Sequence, residues 1–494
     1  MKKLEWLWPY PRNLELKGEF PAPVELSFAG TALPKSFEED FDHLRGIAIT
    51  NSSSAYSLHI DGDDSSLEPE AYDLVLTKSG GILSAGSPAG LSYGLHTLLQ
   101  VIALSRGGVW PAVEINDRPA YRKRCFMVDM GRSIFPLPML KRIVRILHRL
   151  KMNQLHLHLY DDEICGIRFN GLPFGQDNPY AISIDGFAEL VRYAQAYHIE
   201  IVPELEAWGH VGSLVCHRKN LRGGEGMYHG SSFLICEETF ALMREMISQV
   251  ARVMPRKATI HLGLDEANWF LGPDLPKDFT PTDMVQRYYD ILQEIADEQG
   301  KELTLRIWAD HAGRPVPEHI QDNVIIEPWQ YWQAKYDSID KSITKYSGEG
   351  KMRWMAGTGV SVGQPRGAYH ATRYWSRQAR ESPNLDGVNI TFWGSNDLES
   401  KLIGLFAGAY YIWNPTPPTD FAEIEDYEDY DLKVFPIMRW WQGRFRDAFP
   451  DDLVRDRGPV VQMGYYLWGK NHGHPVSPEG AGANTFFGHD FLNE

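Results

Sequence analysis

The feature that most constrains this 494-residue chain is an alternation of short apolar runs with amphipathic segments between residues 120 and 395. Each run has the length of a buried strand, and several segments between the runs repeat apolar residues at helical spacing. Strands that alternate with helices form a parallel sheet, and eight such units close into a (β/α)8, or TIM, barrel. The eight predicted strands are Cys125–Met130, Gln154–Tyr160, Glu200–Leu205, Ala258–Glu266, Leu303–Asp310, Val324–Trp332, Lys351–Gly359 and Gly387–Ser395.

Clear helical periodicity separates several of these strands, and the pattern is weakest after the seventh. The segment 360–386 is rich in Gly, Pro and Arg, so it indicates a helix least strongly. The clearest predicted helices are Met139–Leu150, Phe187–His198, Glu238–Val253 and Asp283–Gln299.

The sequence on either side of the barrel predicts two further parts of an α/β protein. Residues 1–117 form a small α/β domain, because the alternating segment 72–77, a Gly-Gly turn and a helical segment at 90–104 follow one another. Asp117-Arg-Pro119 ends that pattern, and the barrel occupies residues 118–413. After a Pro-rich spacer, residues 414–494 are predicted to be a helical extension packed on the barrel.

Composition excludes two classes of partner. The net charge of -16 opposes nucleic-acid binding, which needs a clustered basic surface, and no apolar stretch is long enough to span a bilayer. The N-terminus lacks the apolar core of a secretion signal, and the four cysteines show no CxxC spacing. We therefore expect reduced thiols, no cofactor and a cytoplasmic location.

Polar and aromatic residues are concentrated at the carboxyl ends of the predicted strands, which is where TIM barrels place their active sites. Fifteen tryptophans add a carbohydrate signal, because flat indoles stack on the apolar faces of sugar rings. The strand-end residues are Arg132, Asp161, Asp162, Glu163, Glu204, Glu206, His210, Asp265, Glu266, Trp308, Asp310, Trp329, Trp332 and Trp393.

The adjacent carboxylates Asp265 and Glu266 end the fourth strand. Like charges at close range raise one pKa, and a carboxyl that stays protonated can act as a general acid. An isolated Asp-Glu pair is more often a solvated helix start, but here the pair follows an apolar strand inside a barrel pattern. Neighbouring strand residues point to opposite faces, so both can serve one site only if the chain turns here, which we predict.

The motif at 261–266, His-Leu-Gly-Leu-Asp-Glu, resembles the H-x-G-x-D-E signature of glycoside hydrolase family 20, the β-N-acetylhexosaminidases. Residues 129–132 and 153–162 resemble the family's D-x-x-R and N-x-L-H-x-H-x-x-D-D blocks, and 203–210 resembles its P-E-(I/L)-(D/E)-x-x-G-H loop. Residues 70–100 resemble the α/β domain that precedes the family's barrel. The resemblance covers roughly residues 70 to 413, and four ordered motifs make chance a poor explanation.

The resemblance implies an exo-acting retaining glycosidase that releases terminal β-linked GlcNAc or GalNAc from a glycan or glycoconjugate. In this family the substrate's own 2-acetamido oxygen attacks the anomeric carbon and forms an oxazolinium intermediate. Glu266 would be the acid and base, and Asp265 would hold the acetamido N–H.

The same resemblance assigns roles to six further residues. Arg132 would bind sugar hydroxyls, or alternatively form a salt bridge with Asp129 or Asp161. Asp161 and His210 would support the acid/base, and Trp308, Trp329 and Trp393 would wall the sugar subsite. We expect His156 and His158 to pack inside the barrel, and either Glu204 or Glu206 to orient His210.

Two strand ends depart from the family pattern. The Tyr-x-Asp motif expected after the seventh strand is missing, which leaves Tyr369, or Tyr374, as the candidate contact for the acetamido oxygen. The eighth strand carries Trp393-Gly-Ser-Asn396-Asp397 where the family has W-(S/T)-E, so Asn396 or Asp397 would replace the glutamate. Because hydrogen bonds to O4 distinguish gluco from galacto sugars, the preference between them stays open.

Two other classes of function compete with this hypothesis. His156, His158, His210, His261 and Asp310 could be metal ligands of a hydrolase on the same barrel. A barrel that has lost its catalytic activity could still bind sugar. Binding alone, however, does not need a proton donor beside a second carboxylate. The sequence predicts no metal and does not indicate an oligomeric state.

Overall fold

The protein is described from a computed structural model. It covers residues 4–34, 37, 47–105, 108–225, 231–267, 276–309, 316–331, 336–348, 352–360, 368–394, 398–419, 436–438 and 440. The chain divides into two compact units. The first comprises residues 1–122, 149–151 and 406–451, and the second comprises 123–148, 152–405 and 452–494. The predicted division at residues 117 and 413 stays a prediction, and most of the predicted 414–494 extension lies outside the described residues.

A seven-stranded mixed sheet forms the first unit. Its strands are β1 (Asn13–Pro21), β2 (Glu25–Gly30), β3 (Ala48–Ile49), β4 (Tyr56–Asp61), β5 (Tyr72–Thr77), β6 (Gly80–Ala85) and β7 (Val109–Asp117). They lie in the order β1-β7-β5-β6-β4-β2-β3. Helix α1 (Pro88–Leu104) packs on β5 and β6, and Ser87 caps it by accepting the backbone N–H groups of Ala89 and Gly90.

A buried charge cluster joins three stretches of the first unit. The Lys151 ammonium lies 3.2 Å from the Asp117 carboxylate and 2.9 Å from the hydroxyls of Tyr72 and Thr97. It also lies over the Trp413 ring, whose N–H donates to Asp117. Both charged side chains are fully buried, so each depends on the other to offset the cost of leaving water.

A closed barrel of eight parallel strands forms the second unit, as the sequence predicted. The strands are β8 (Lys123–Asp129), β9 (Gln154–His158), β12 (Glu200–Glu204), β15 (Lys257–His261), β16 (Glu302–Trp308), β17 (Val324–Glu327), β18 (Arg353–Gly359) and β19 (Leu385–Phe392). Most of their residues are buried, because helices cover parallel sheets outside and side chains fill the barrel inside.

The four clearest helices of the sequence prediction are present, and a helix also follows the seventh strand. The second unit contains α2 (Leu137–Arg149), α3 (Ile184–Ala196), α4 (Gly212–Val215), α5 (Glu237–Val253), α6 (Pro281–Gln299), α7 (Tyr336–Gly348) and α8 (Ala368–Gln378), and α9 (Leu398–Trp413) follows the last strand. Two short pairs, β10 (Ile167–Arg168) with β11 (Ile182–Ser183) and β13 (Arg222–Glu225) with β14 (Ser231–Phe233), lie in loops.

Local chemistry explains where α6 begins and ends. Thr280 and Asp283 form a reciprocal capping box at its start, and Pro281 occupies the first turn, where its missing N–H costs nothing. Gly300 ends the helix in the left-handed conformation with φ 63°. Among the described residues, every helix is too short or too polar to cross a bilayer.

Replacing Lys151 by Met should destabilise the first unit by about 3 kcal/mol, because the substitution leaves the buried Asp117 carboxylate without its cation. Urea unfolding of the two proteins measures the loss. Lys141→Met is the matched control, since Lys141 pairs with Glu189 at the surface and its loss should cost less than about 1 kcal/mol. Equal losses in the two variants would contradict the role of the buried pair.

Candidate active site

A tight turn after β15 brings Asp265 and Glu266 to one side of the chain. Gly263, Leu264 and Glu266 have φ values of 60°, 70° and 45°, so the backbone leaves the extended conformation at once. The Gly263 N–H donates to Nδ1 of His261 at 2.9 Å. The turn that the sequence predicted is therefore present, and it removes the alternation that would separate the two carboxylates.

Both carboxylates face the His210 imidazole. Its Nε2 lies 3.3 Å from the Glu266 carboxylate and 3.8 Å from that of Asp265. The side chains of Asp265 and Glu266 are 11% and 14% exposed, so both are reachable from solvent yet largely desolvated. The arrangement places a proton carrier between two acids at the mouth of the barrel.

Asp161 holds the other side of His210. One carboxylate oxygen lies 3.2 Å from Nδ1 of His210, and the other accepts from Arg132 at 2.7 Å. Burial alone would lower the pKa of His210, but Asp161 outweighs it and holds that pKa well above the ordinary value. Burial would likewise raise the pKa of Asp161, yet Arg132 and His210 hold it well below its usual range. An imidazolium therefore faces Glu266.

Arg132 is locked by three carboxylates at the end of the first barrel strand. It lies 3.0 Å from Asp129, 2.7 Å from Asp161 and 3.5 Å from Glu163, and its side chain is 11% exposed. The salt bridges weighed in the sequence analysis are both present. Because the guanidinium also remains at the barrel mouth, the ion pairs are compatible with a sugar-binding role.

In the barrel interior beneath these residues, acidic side chains alternate with histidines on neighbouring strands. The strand registers align Asp129 with His158, His158 with Glu204, and Glu204 with His261. Glu204 accepts hydrogen bonds from the Trp308 N–H at 2.5 Å and from His158 at 2.8 Å. His158 also bonds Asp161 at 2.7 Å, so the network links Trp308 to the charged residues above.

This network corrects one expectation. Neither Glu204 nor Glu206 orients His210, because Asp161 and Asp162 supply the carboxylates at its Nδ1. The register of the third strand directs Glu204 toward His158 and His261 instead. As expected, His156 and His158 pack inside the barrel.

Glu206 is a second buried carboxyl close to the turn. A Cβ at Gly263 would lie 1.8 Å from its carboxylate, so only glycine fits there. Burial, followed by the neighbouring charge of Asp265, raises the pKa of Glu206 well above its ordinary value. A neutral Glu206 adds no further negative charge beneath Asp265.

Aromatic side chains form one wall of the site. The rings of Trp308 and Trp393 lie 5.7 Å apart, and the Trp393 N–H donates to the Tyr331 hydroxyl at 2.9 Å. Tyr331 in turn stacks on Trp329 with ring centroids 5.2 Å apart. The structure therefore brings together the three tryptophans predicted for the sugar subsite, and Tyr331 joins them.

Tyr331 is a site residue that the sequence analysis missed. It follows the sixth barrel strand two positions after Trp329, so the alternation of an extended chain places both on one side. That spacing was the available signal, but the family pattern placed the expected tyrosine after the seventh strand, at Tyr369 or Tyr374.

Several predicted residues fall outside what the structure describes. Asp310, Trp332, Asn396 and Asp397 lie in undescribed segments, and only the backbone of Tyr369 is described, in α8. The alternative candidate Tyr374 is wrong for the acetamido contact, because its hydroxyl bonds Asp340 on α7 and its ring stacks on Tyr336.

Some of these side chains lie close enough together to share a metal ion. His156, Glu204 and His261 form one such group and His210, Asp265 and Glu266 another. In the first group the carboxylate lies 3.0 Å from His156 and 3.1 Å from His261, deep in the barrel. The second group contains both carboxylates at the end of the fourth strand, so activity with and without a chelator distinguishes a metal site from carboxylates that act alone.

Comparison with known families decides which barrel this is. A model of the glycosyl hydrolase family 20 catalytic domain matches residues 121–345, and a model of the family's domain 2 matches residues 6–118. The chain belongs to glycoside hydrolase family 20. The Asp265–Glu266 pair lies within residues 121–345, which the catalytic-domain model matches.

Individual relatives agree with this family membership. The chain is 31% identical over 231 residues to a β-hexosaminidase of Akkermansia muciniphila. That alignment covers 41% of this chain and 46% of the relative. It is 30% identical over 223 residues to a β-N-acetylhexosaminidase of Cellulomonas fimi. That alignment covers 40% of this chain and 44% of the relative. These alignments span less than half the length of either curated relative.

Solved structures show the same fold. A chitobiase from Flavobacterium johnsoniae superposes with a TM-score of 0.70 at 18% identity, covering 92% of this chain and 75% of that one. A β-N-acetylhexosaminidase from Bacteroides fragilis superposes with a TM-score of 0.66 at 21% identity. The superposition covers 89% of this chain and 96% of that one.

The interior histidines predict a stability maximum near neutral pH. Against burial, Glu204 and Asp161 raise the pKa of His158 to about 10, so its contribution is full below its unfolded pKa of about 6.5 and is lost as pH rises through 10. Burial lowers the pKa of His156 and His261 to about 4, so their contribution is lost as pH falls from about 6.5 through 4. Thermal unfolding midpoints measured across this range should peak between the two limbs.

The variant His158→Asn should reduce the slope of the alkaline limb, because asparagine binds no proton, while His210, whose pKa is also raised, keeps part of that limb and the acid limb remains. An alkaline limb of unchanged slope in this variant would show that other groups cause it.

Proposed function

We propose that this protein is an exo-acting, retaining β-N-acetylhexosaminidase that uses the substrate's acetamido group as its nucleophile. The single observation that carries the proposal is the convergence of Asp265 and Glu266 on the imidazole of His210 at the barrel mouth. Membership of family 20 and the names of the relatives support it. So does a Streptomyces plicatus β-hexosaminidase of the same fold, described as a mutant in complex with its product GlcNAc.

In the first step the acetamido oxygen attacks the anomeric carbon and the glycosidic bond breaks. Glu266 gives its proton to the departing oxygen, and the positive charge spreads over the O–C–N group of the resulting oxazolinium. Asp265 accepts the acetamido N–H and stabilises that charge. In the second step water attacks the anomeric carbon with Glu266 as base, and the acetamido group is restored.

The neighbouring residues position the substrate and stabilise the charges that form during this proton transfer. His210 lies between Asp161 and Glu266, so it stabilises the Glu266 carboxylate after the proton has left. Arg132 offers N–H donors to sugar hydroxyls at the barrel mouth. Trp329 and Trp393 wall the subsite, where an indole face suits the C–H face of a sugar. Trp308 is 1% exposed and supports the wall from behind, with its ring 5.7 Å from that of Trp393.

We propose a glycan or glycoconjugate ending in β-linked GlcNAc or GalNAc as the substrate. The choice between the two sugars depends on a contact to O4, and Asp397 is our candidate for it. We also propose a cytoplasmic location, which the four unpaired cysteine thiols support.

Two substitutions separate the roles of the carboxylates. Glu266→Gln should lower kcat/KM about 10²–10⁴-fold on a methyl glycoside, which needs a proton on its leaving group, and far less on a dinitrophenyl glycoside, which does not. Asp265→Asn removes a charge that both substrates require, so it should slow both by about 10²-fold or more. Equal losses on both substrates for Glu266→Gln would contradict its role as the acid.

The activity itself is tested by release of nitrophenol from its β-GlcNAc and β-GalNAc glycosides, with and without a chelator. We expect cleavage that survives chelation, because carboxylates and the acetamido group supply the chemistry. The ratio of the two rates gives the O4 preference. Activity abolished by the chelator and restored by a divalent metal would overturn the proposal in favour of metal-assisted hydrolysis.

A further inference from the structure

The loop that carries His210 is held in a conformation that its backbone does not favour. The φ of His210 is 54°, in the left-handed region, and a residue other than glycine keeps such a conformation only where the surrounding structure holds it. The loop also passes close to the turn that carries the two carboxylates, since a Cβ at Gly209 would lie 2.5 Å from the Asp265 carbonyl oxygen. A small shift of the loop would therefore move the imidazole relative to Glu266.

Strand β14 is hydrogen-bonded to this loop on both sides of His210. The Phe233 N–H donates to the Trp208 carbonyl at 2.8 Å, and the Val211 N–H donates to the Ser231 carbonyl at 3.1 Å. These two bonds make the loop and β14 one structural piece. They do not connect that piece to the end of β9, where the carboxylates that face Nδ1 of His210 lie.

Asp162 makes that connection with one carboxylate oxygen. Its Oδ1 accepts the N–H of Gly212, the first residue of α4, at 2.9 Å and the N–H of Ser231, the first residue of β14, at 2.8 Å. Its Oδ2 lies 3.5 Å from Nδ1 of His210. The side chain is 3% exposed, so water competes little for these bonds, and bonds to a charged acceptor are the stronger kind.

The neighbouring carboxylate of Asp161 has a different set of partners. Its oxygens lie 3.2 Å from His210, 2.7 Å from Arg132 and 2.7 Å from His158, and one of them accepts the backbone N–H of Asp162. Asp161 therefore supplies charge to three basic side chains. Asp162 instead reaches the backbone of the loop and of β14.

We propose that Asp162 is a positioning residue, a clamp that joins β9, α4 and β14 and thereby holds the His210 imidazole against Glu266. The clamp keeps Nε2 of His210 3.3 Å from the Glu266 carboxylate, where it stabilises the charge left after proton transfer. The catalytic consequence rests on the proposed function. The clamp itself does not, and it can be measured without substrate.

Hydrogen exchange followed by mass spectrometry tests the clamp in the absence of substrate. In Asp162→Ala the amides of Gly212 and Ser231 should exchange about tenfold faster or more, because each has lost its acceptor. Asp162→Asn should keep both amides protected, since its amide oxygen can accept the same two bonds. Wild-type protection of both amides in Asp162→Ala would overturn the clamp.

The catalytic consequence is tested on the methyl and dinitrophenyl β-GlcNAc glycosides. Asp162→Ala should lower kcat/KM about 10²-fold on the methyl glycoside, because a misplaced His210 impairs proton transfer by Glu266. The loss should stay below about tenfold on the dinitrophenyl glycoside, whose leaving group needs no proton. Asp162→Asn should recover most of the methyl-glycoside rate, because the clamp is restored and Asp161 still supplies the nearer carboxylate.

Asp64→Ala is the matched control. Asp64 likewise accepts two bonds, from the N–H and the hydroxyl of Ser66, but it lies in the first unit. Its replacement should change neither rate nor the exchange of the two amides. Thermal unfolding of each variant checks that the barrel is intact.

The possible contrary results differ from one another. Equal losses on both glycosides in Asp162→Ala show a general structural defect and overturn the positioning role. An Asp162→Asn variant as slow as Asp162→Ala on the methyl glycoside shows that the charge, and not the clamp, acts on His210. A wild type that cleaves neither glycoside, while Asp162→Ala still loses amide protection, overturns the proposed function and leaves the clamp standing.

Discussion

The site depends on the pairing of opposite charges inside a barrel from which water is largely excluded. Asp129, His158 and Glu204 lie in register on adjacent strands, so acid and base alternate around the interior. Such charges attract strongly at short range, but each costs several kcal/mol if its partner is missing. These ion pairs hold Asp161, and through it His210, in one orientation.

Within this group of charges, the carboxylates of the proposed reaction are the least buried members. Glu204 and Asp161 are fully buried and fully engaged, so they have a supporting role. Asp265 and Glu266 stand at the end of the turn after the fourth strand, where a sugar can reach them. Position along the barrel axis therefore separates the carboxylates that hold the site from those that perform the proposed reaction.

The sequence alone predicted what depends on local order. The eight strands follow from apolar runs, and the Asp265–Glu266 turn follows from the need to bring adjacent residues to one face. Contacts between distant segments were not predictable in the same way. Either Glu204 or Glu206 was expected to orient His210, because the register of the third strand with its neighbours is not visible in its own residues. Tyr331 was overlooked because its surroundings, Gly359 and Trp393, come from two other strands.

The turn at 263–266 has a consequence for which substitutions selection can accept. Leu264 and Glu266 adopt positive φ without being glycine, a conformation that costs about 1 kcal/mol per residue with an ordinary side chain. Glycine would relax this strain at either position, but at 266 it would delete the proposed proton donor. At residue 266, relief of backbone strain and retention of the acid are thus in opposition, and selection for turnover keeps the strained residue.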